Sequence, residues 1–249
     1  MMKYVVVGGT GFIGSQVVTA LKERGHTAVA AAPETGVNSI TGAGLSEAMD
    51  GTHAVLDVTN SPTFDPQGIL DFFGTSTKNL LDAENSAHVR HHVVLSIVGT
   101  EKLGNNPYFR GKNLQEQLVK SSGIPFTIVR STQFMEYLGT IADLGGKLSE
   151  TRIPTADVQM IAANDLVALL CDTLLGNPVG GILQVAGPER RRMSDVVATF
   201  LEAKADSRSV TADPEALYFG SKLDPDTLVP QGKVHLGKTK FSEWLLSAL

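Results

Sequence analysis

The most restrictive stretch of this chain lies at its start. Residues Tyr4 to Val7 form a short β-rich apolar run, and Gly8-Gly9-Thr10-Gly11-Phe12-Ile13-Gly14 follows directly. A helical pattern begins at once, running through Val17, Val18 and Leu21 to Arg24, with Gly25 placed to stop it. Gly9, Gly11 and Gly14 satisfy G-x-G-x-x-G, and Gly8, Gly11 and Gly14 are evenly spaced. A strand that passes through a glycine loop straight into a helix opens an α/β fold and leaves few alternatives.

The same loop points to a ligand. A side chain at these glycines would block the tight turn, the approach of the backbone to a pyrophosphate, or the packing of helix on strand. The helix N-terminus presents N–H groups and a partial positive charge to phosphates. Gly8, Thr10, Gly11, Phe12, Ile13 and Gly14 are therefore the candidate cradle of a dinucleotide. The end of the second strand selects between NAD and NADP, because a carboxylate there holds a ribose 2′-hydroxyl and an arginine holds a 2′-phosphate. This chain offers Ala31-Ala32-Pro33-Glu34-Thr35, with Glu34 twenty residues beyond Gly14 and no Arg or Lys beside it. That leans to NAD, although Glu34 also reads as a solvated loop carboxylate past the strand end.

Further strands are expected at Ala28 to Ala32, His53 to Val58, His92 to Val98, Pro125 to Arg130, Val158 to Ala162 and Gly181 to Ala186, with at most one brief strand at Val37 to Thr41. Between them lie helical patterns at Leu45 to Met49, from Ile69 to Leu81, Pro107 to Lys120, Thr132 to Leu144, Asp165 to Leu175 and Asp195 to Ala203, and a last one runs from Phe241 to Leu246. Asn106 and Pro107 suit the N-cap and first residue of their helix. Alternation at this spacing predicts βαβ units and a doubly wound parallel sheet. Residues 1–155 are expected to form the nucleotide-binding domain, its sheet completed by 156–187, and 188–249 a small C-terminal substrate lobe.

Composition excludes several classes. A chain of 249 residues that is 42% hydrophobic buries a sizeable core and is not disordered. Its 21 basic and 26 acidic residues give a net charge of −5, which argues against a nucleic-acid partner. The one basic run, Arg190 to Arg192, reads as a solvated loop. No apolar run approaches the roughly eighteen residues of a membrane span, and Met1, Met2 and Lys3 lead straight into a strand rather than a signal sequence. Cys171 stands alone, so no intramolecular disulfide forms, and it reads as core in a reducing, cytoplasmic protein. The expected partner is a small molecule, bound by a monomer or homodimer.

Tyr108 and Lys112 lie four apart on the helix begun by Pro107 and share one face of it. Ser96 lies near the carboxyl end of the preceding strand, the end at which the crevice of a doubly wound sheet opens. These three fit reduction of a carbonyl. A tyrosine hydroxyl donates the proton if its pKa is lowered from about 10, a lysine ammonium lowers it and binds ribose hydroxyls, and a serine orients the carbonyl oxygen. His91 and His92, at the entry end of their strand, lack a ligand cluster and read as structural or exposed, and no metal is expected. Asp57 reads as a buried acid or a capping group. Phe134, Met135, Tyr137 and Leu138 suit a core; if Phe134 and Tyr137 instead face the crevice, the substrate is partly apolar.

The Ser96, Tyr108 and Lys112 set over a glycine loop resembles the short-chain dehydrogenase/reductase superfamily, with its Rossmann cofactor domain. Val7 to Gly14, Gly123-Ile124-Pro125-Phe126-Thr127-Ile128-Val129-Arg130 and Val185-Ala186-Gly187-Pro188-Glu189 are similar to its atypical NmrA-like NAD(P)-binding branch. The resemblance implies an NAD(P) cofactor, contacts to it from Thr59 and Asn60 after the fourth strand, and a substrate pocket closed by the segment after Arg130 and the C-terminal lobe. Many NmrA-like proteins lack the tyrosine, which is kept here. NADP-using relatives commonly carry an arginine where Pro33-Glu34 stands. The implied activity is an NAD(P)-dependent oxidoreductase acting on a carbonyl or quinone-type molecule. The alternatives are a non-enzymatic dinucleotide-sensing regulator and a cofactor-retaining epimerase or dehydratase.

Overall fold

The computed structural model describes residues 2–248. Its elements run β1 (Lys3–Val7), α1 (Phe12–Glu23), β2 (Thr27–Ala31), α2 (Leu45–Met49), β3 (Thr52–Asp57), α3 (Pro66–Ser86), β4 (His91–Ile97), α4 (Pro107–Ser121) and β5 (Phe126–Ser131). Then come α5 (Leu138–Gly145), β6 (Glu150–Ile153), β7 (Asp157–Val158), α6 (Ala163–Leu175), β8 (Gly181–Ala186), β9 (Arg191–Arg192), α7 (Met193–Ala203), β10 (Ser209–Ala212), β11 (Val234–Leu236) and α8 (Phe241–Ser247). Seven strands make one parallel sheet in the order β11-β8-β5-β4-β3-β1-β2, flanked by helices in a Rossmann-like α/β fold.

β1 is buried from Tyr4 to Val7, as a strand covered on both faces requires. It pairs in parallel with β2 on one side and β3 on the other, so Val7 lies opposite both Ala31 and Asp57. The direction of winding reverses here, and in an open α/β sheet the ligand crevice forms beyond the carboxyl ends of strands at such a reversal. The glycine loop and Asp57 therefore share the functional end of the sheet.

The chain divides into two compact units. The first holds Met1–Ser96, Pro107–Arg130 and Val167–Leu183; the second holds Ile97–Asn106, Ser131–Leu166 and Gln184–Leu249. The division is interleaved along the chain, whereas the sequence suggested consecutive boundaries near 155 and 188.

In the first unit α1 turns Ile13, Val17, Val18 and Leu21 inward, a helical spacing that gives one apolar stripe. Asp65 caps α3 by accepting from the Gly68 N–H at 2.7 Å, and Pro66 opens the helix. α3 and α4 approach closely at Gly111, where a Cβ would fall 2.5 Å from the Phe73 ring and 2.9 Å from Ile69. That glycine seats Phe73 against the face of α4 that carries Tyr108 and Lys112. In the second unit β6 pairs with β10 in parallel and β7 with β9 antiparallel, and the Asp165 carboxylate accepts from the N–H groups of Lys238 and Thr239.

Three stretches depart from the sequence reading. Val37 to Thr41 forms no strand, because the Asn38 side chain accepts from the Ile40 and Thr41 N–H groups and closes a local turn. The strand ending at Asp57 is consequently the third, not the fourth. Val158 to Ala162 shortens to β7 because Gly187 N–H bonds Gln159 O and Ile161 N–H bonds Gln133 O, drawing the segment between two others. Thr132 to Leu144 is helical only from Leu138, after a turn at Met135–Tyr137; bonds from Thr132 N–H to Val185 O and from Met135 N–H to Ile161 O keep its start extended.

Candidate active site

The loop after β1 is built so that only glycine fits it. Gly8 has φ +79°, and a Cβ on Gly9 would lie 2.5 Å from Val6 O. On Gly14 it would lie 2.2 Å from Gly8 O. The start of α1 thus sits directly on the turn, with Gly11 as its N-cap and no acidic residue in its first turn. The positive end of the helix faces the loop without an acid of its own to neutralise it, as a phosphate cradle requires. Thr10 Oγ1 donates to Glu34 Oε1 at 2.5 Å, so the loop and the end of β2 are joined by the residue that the sequence offered as the ribose-binding acid. That hydrogen bond holds the Glu34 carboxyl below the usual carboxylate range.

Asp57 is fully buried and its carboxylate is used on both sides. Oδ1 accepts from the Thr59 N–H at 2.9 Å and the Thr59 hydroxyl at 2.7 Å, and Oδ2 accepts from Gln115 Nε2 at 2.8 Å. Asn60 Oδ1 accepts from Ser61 N–H. Thr59 is half-buried, Asn60 exposed, and both follow β3 at the crevice end.

The α4 face gathers Tyr108 and Lys112 around Phe73. The Tyr108 and Phe73 rings meet edge to face with centroids 6.0 Å apart, and Lys112 Nζ lies 5.0 Å from the Phe73 centroid. Lys112 is 3% exposed. It donates to Leu95 O at 2.7 Å and to Gln115 Oε1. Burial pulls its pKa down to about 8, against the raising influence of the Asp57 and Glu116 charges.

Ser96 directly follows Leu95, whose carbonyl accepts from Lys112. Its hydroxyl donates to Glu116 Oε1 at 2.6 Å, and Arg130 clasps the same carboxylate through Nε and Nη2, each at 2.8 Å. Burial alone would raise the Glu116 pKa, but the hydrogen bonds from Arg130 and Ser96 and the charges of Arg130 and Lys120 outweigh it and hold the group ionised. The structure thus brings Tyr108 and Lys112 together and binds Ser96 into a Glu116–Arg130 pair.

His91 and His92 are both buried. His92 Nδ1 lies 2.9 Å and 3.0 Å from the Glu84 oxygens; burial opposes its charged form, but the Glu84 charge and hydrogen bond prevail and raise its pKa. His91 Nε2 lies 2.9 Å from Thr127 Oγ1, and burial lowers its pKa to about 4. Cys171 is buried, with its thiol pushed up to about 11 by burial. In the second unit Met135 and Leu138 are core, Tyr137 is exposed, and the Phe134 and Tyr137 rings lie 5.7 Å apart. Among the described residues no group of three or more His, Cys, Asp or Glu is placed to hold a metal, and no helix is long and apolar enough to cross a membrane.

Sequence reasoning missed Gln115, Phe73 and Glu116. Gln115 and Glu116 stand three and four residues after Lys112, so the helical period that united Tyr108 with Lys112 also places them near it. Asp57 reads from the sequence as a buried acid or a capping group, and its distance along the chain from Gln115 conceals the link between them.

Comparison with known proteins agrees with this geometry. The sequence pattern of a family described as NAD(P)H-binding matches residues 8–166. A (4-alkanoyl-5-oxo-2,5-dihydrofuran-3-yl)methyl phosphate reductase of Streptomyces griseus subsp. griseus is 30% identical over 203 residues, covering 74% of this chain and 68% of its own. The photosystem II assembly factor Ycf39 of Cyanophora paradoxa is 26% identical over 174 residues, 64% of this chain; the chain spans about half the length of that relative, 51%. Among solved structures, a short-chain dehydrogenase/reductase superfamily protein of Agrobacterium tumefaciens with bound NAD superposes with a TM-score of 0.72 at 18% identity, over 99% of this chain and 95% of that one. An NADPH-dependent quinone oxidoreductase of Escherichia coli gives 0.67 at 15%, over 98% and 99%. With the fold, the loop and the matched sequence pattern in agreement, the chain belongs to the NAD(P)H-binding, NmrA-like family of the short-chain dehydrogenase/reductase fold.

Proposed function

We propose that the protein is an NAD(P)-dependent oxidoreductase that reduces a carbonyl or quinone-type small molecule, with Tyr108 as the proton donor and Lys112 as its electrostatic partner. The observation that carries this reading is the packing of both side chains around one aromatic ring, Phe73, on the same unit as the glycine cradle. The reductase relative supports a reductive activity, and the quinone oxidoreductase neighbour motivates the quinone-type substrate.

A dinucleotide fits the cradle: the Cβ-free turn accepts the pyrophosphate backbone, the acid-free helix start meets its charge, and Thr10, Glu34, Thr59 and Asn60 flank it. When bound and reduced, its nicotinamide supplies the hydride to the substrate carbon. The substrate oxygen then gains negative charge and takes the Tyr108 proton. The buried Lys112 ammonium favours the resulting phenolate, each pKa unit being worth about 1.4 kcal/mol, and solvent returns the proton. Ser96 enters this scheme as the residue that fixes Glu116 and Arg130, because its one hydroxyl proton is engaged there. Glu34, kept ionised by Thr10, repels a 2′-phosphate and suits a 2′-hydroxyl, which favours NADH. A reducing cytoplasmic setting suits the single Cys171.

Calorimetric titration with NADH and NADPH, followed by a turnover assay on carbonyls and quinones, tests the proposal. Binding with stoichiometric oxidation of the reduced cofactor supports it. Tight binding without oxidation favours a nucleotide sensor, and product formation without net oxidation favours an epimerase.

A further inference from the structure

Lys112 is a buried cation whose charge needs an anion, and the buried carboxylate whose charge acts on it most strongly, Asp57, is linked to it through another side chain. Between them stands Gln115, itself 1% exposed. Its Nε2 donates to Asp57 Oδ2 at 2.8 Å and its Oε1 accepts from Lys112 Nζ. The amide thus turns its oxygen to the ammonium, which only donates, and its nitrogen to Asp57. The other oxygen of Asp57 fixes Thr59, and Thr59 N together with Val58 packs on the glycine loop, 3.1–3.2 Å from where a Cβ on Gly8 would lie. A continuous path therefore runs from the cofactor cradle through Thr59, Asp57 and Gln115 to Lys112, and on through Phe73 to Tyr108.

We propose that Gln115 is a positioning residue that couples the Asp57 carboxylate to the Lys112 ammonium, holding it charged and aimed at Phe73 and Tyr108. The catalytic part of this inference rests on the proposed oxidoreductase function; the charge-holding part does not. The groups that act on Lys112 are Asp57 from the end of β3, the Leu95 carbonyl of β4, Phe73 of α3, and Gln115 and Glu116 of its own helix, with Tyr108 on the far side of the Phe73 contact. Glu116 is already engaged by Arg130 and Ser96, which leaves the Asp57–Gln115 link as the hydrogen-bonded route to a negative charge. Removing it leaves the ammonium with Leu95 O and a ring face, a poorer match for a cation out of water.

The test is a titration of the full chain carrying [13Cε]-lysine, with the Lys112 resonance assigned by its loss in Lys112→Arg. The wild-type ammonium is expected to titrate near pH 8. In Gln115→Met, which keeps the volume but neither hydrogen bond, the midpoint falls by one pH unit or more. The alkaline limb of kcat falls with it, while the KM for cofactor changes less than kcat. A residue with a purely packing role would lower stability without moving the midpoint. If Gln115→Met does not fold, Gln115→Asn, too short to reach both partners, decides in the same way. A midpoint unchanged in a folded variant overturns the proposal. Absence of turnover in the wild type overturns the oxidoreductase reading instead, and the resonance alone then decides whether Gln115 holds the charge.

Discussion

A hydroxyl carries one proton, and Ser96 donates it in a hydrogen bond to a buried carboxylate. Hydrogen bonds to charged acceptors are about twice as strong as neutral ones, so transferring the donor to a substrate oxygen would forfeit a good bond and leave Glu116 under-satisfied. Ser96→Ala is therefore expected to lower unfolding free energy by ~1–3 kcal/mol in urea denaturation, with kcat reduced less than tenfold. A loss of a hundredfold in kcat with stability intact would return Ser96 to the substrate. Glu34 makes the complementary case. Glu34→Gln removes the charge that disfavours a 2′-phosphate, and paired calorimetry should show the ratio of NADPH to NADH dissociation constants shrinking by about tenfold. An unchanged ratio would make Glu34 a solvated carboxylate. At this scale the sequence was readable where placement follows from spacing, as for the turn at Gly14 and the shared helix of Tyr108 and Lys112. It was silent where they follow from contacts between distant positions, as for Asp57 with Gln115 or Ser96 with Glu116.

Helices place these groups, and one glycine sets the most important contact between helices. In the interior of α4 glycine costs about 0.5–1 kcal/mol relative to alanine, yet at Gly111 the Phe73 ring occupies the space a Cβ would need. Gly111→Ala is accordingly expected to destabilise the protein by ~1–3 kcal/mol through overpacking and to push Phe73 from its place between Tyr108 and Lys112. Denaturant titration measures the first effect, and a fall in kcat at unchanged cofactor affinity the second; a stabilised variant would contradict the packing argument. Most elements were legible from periodicity, with β8 and the start of α4 placed to the residue. The stretches that misled did so for local reasons. Asn38 turns a short pentad flanked by β-branched residues on itself, and Gln133 and Gly187 dictate the path of Val158 to Ala162 through backbone bonds that no periodicity reports.

For the molecule as a whole, the buried histidines of β4 give stability a pH dependence of two opposite signs. His91 has a folded pKa of about 4, below its unfolded value. The unfolded chain therefore binds that proton first as pH falls from about 6.5 to 4, and stability is lost across this window, by up to about 3 kcal/mol. His92, with a folded pKa raised by Glu84, contributes stability that is complete below pH ~6.5 and fades as pH rises through its folded value. His91→Gln, which removes only the first effect, should flatten the loss of unfolding free energy between pH 6.5 and 4 relative to wild type. Parallel curves would show that His91 is not the group responsible.

The crevice end of the sheet is where these scales meet, since the glycine loop, Asp57 and the α4 face all belong to one unit. The central claim is that the Tyr108 hydroxyl delivers the proton while the cradle binds the cofactor independently of it. Its most direct test compares Tyr108→Phe with wild type in two assays: calorimetric binding of reduced cofactor, and oxidation of that cofactor by an accepted carbonyl or quinone substrate. The predicted result is cofactor affinity within a factor of about two and turnover reduced by 10²–10⁴, the range of a lost general acid. Turnover equal to wild type, with every accepted substrate, would contradict it.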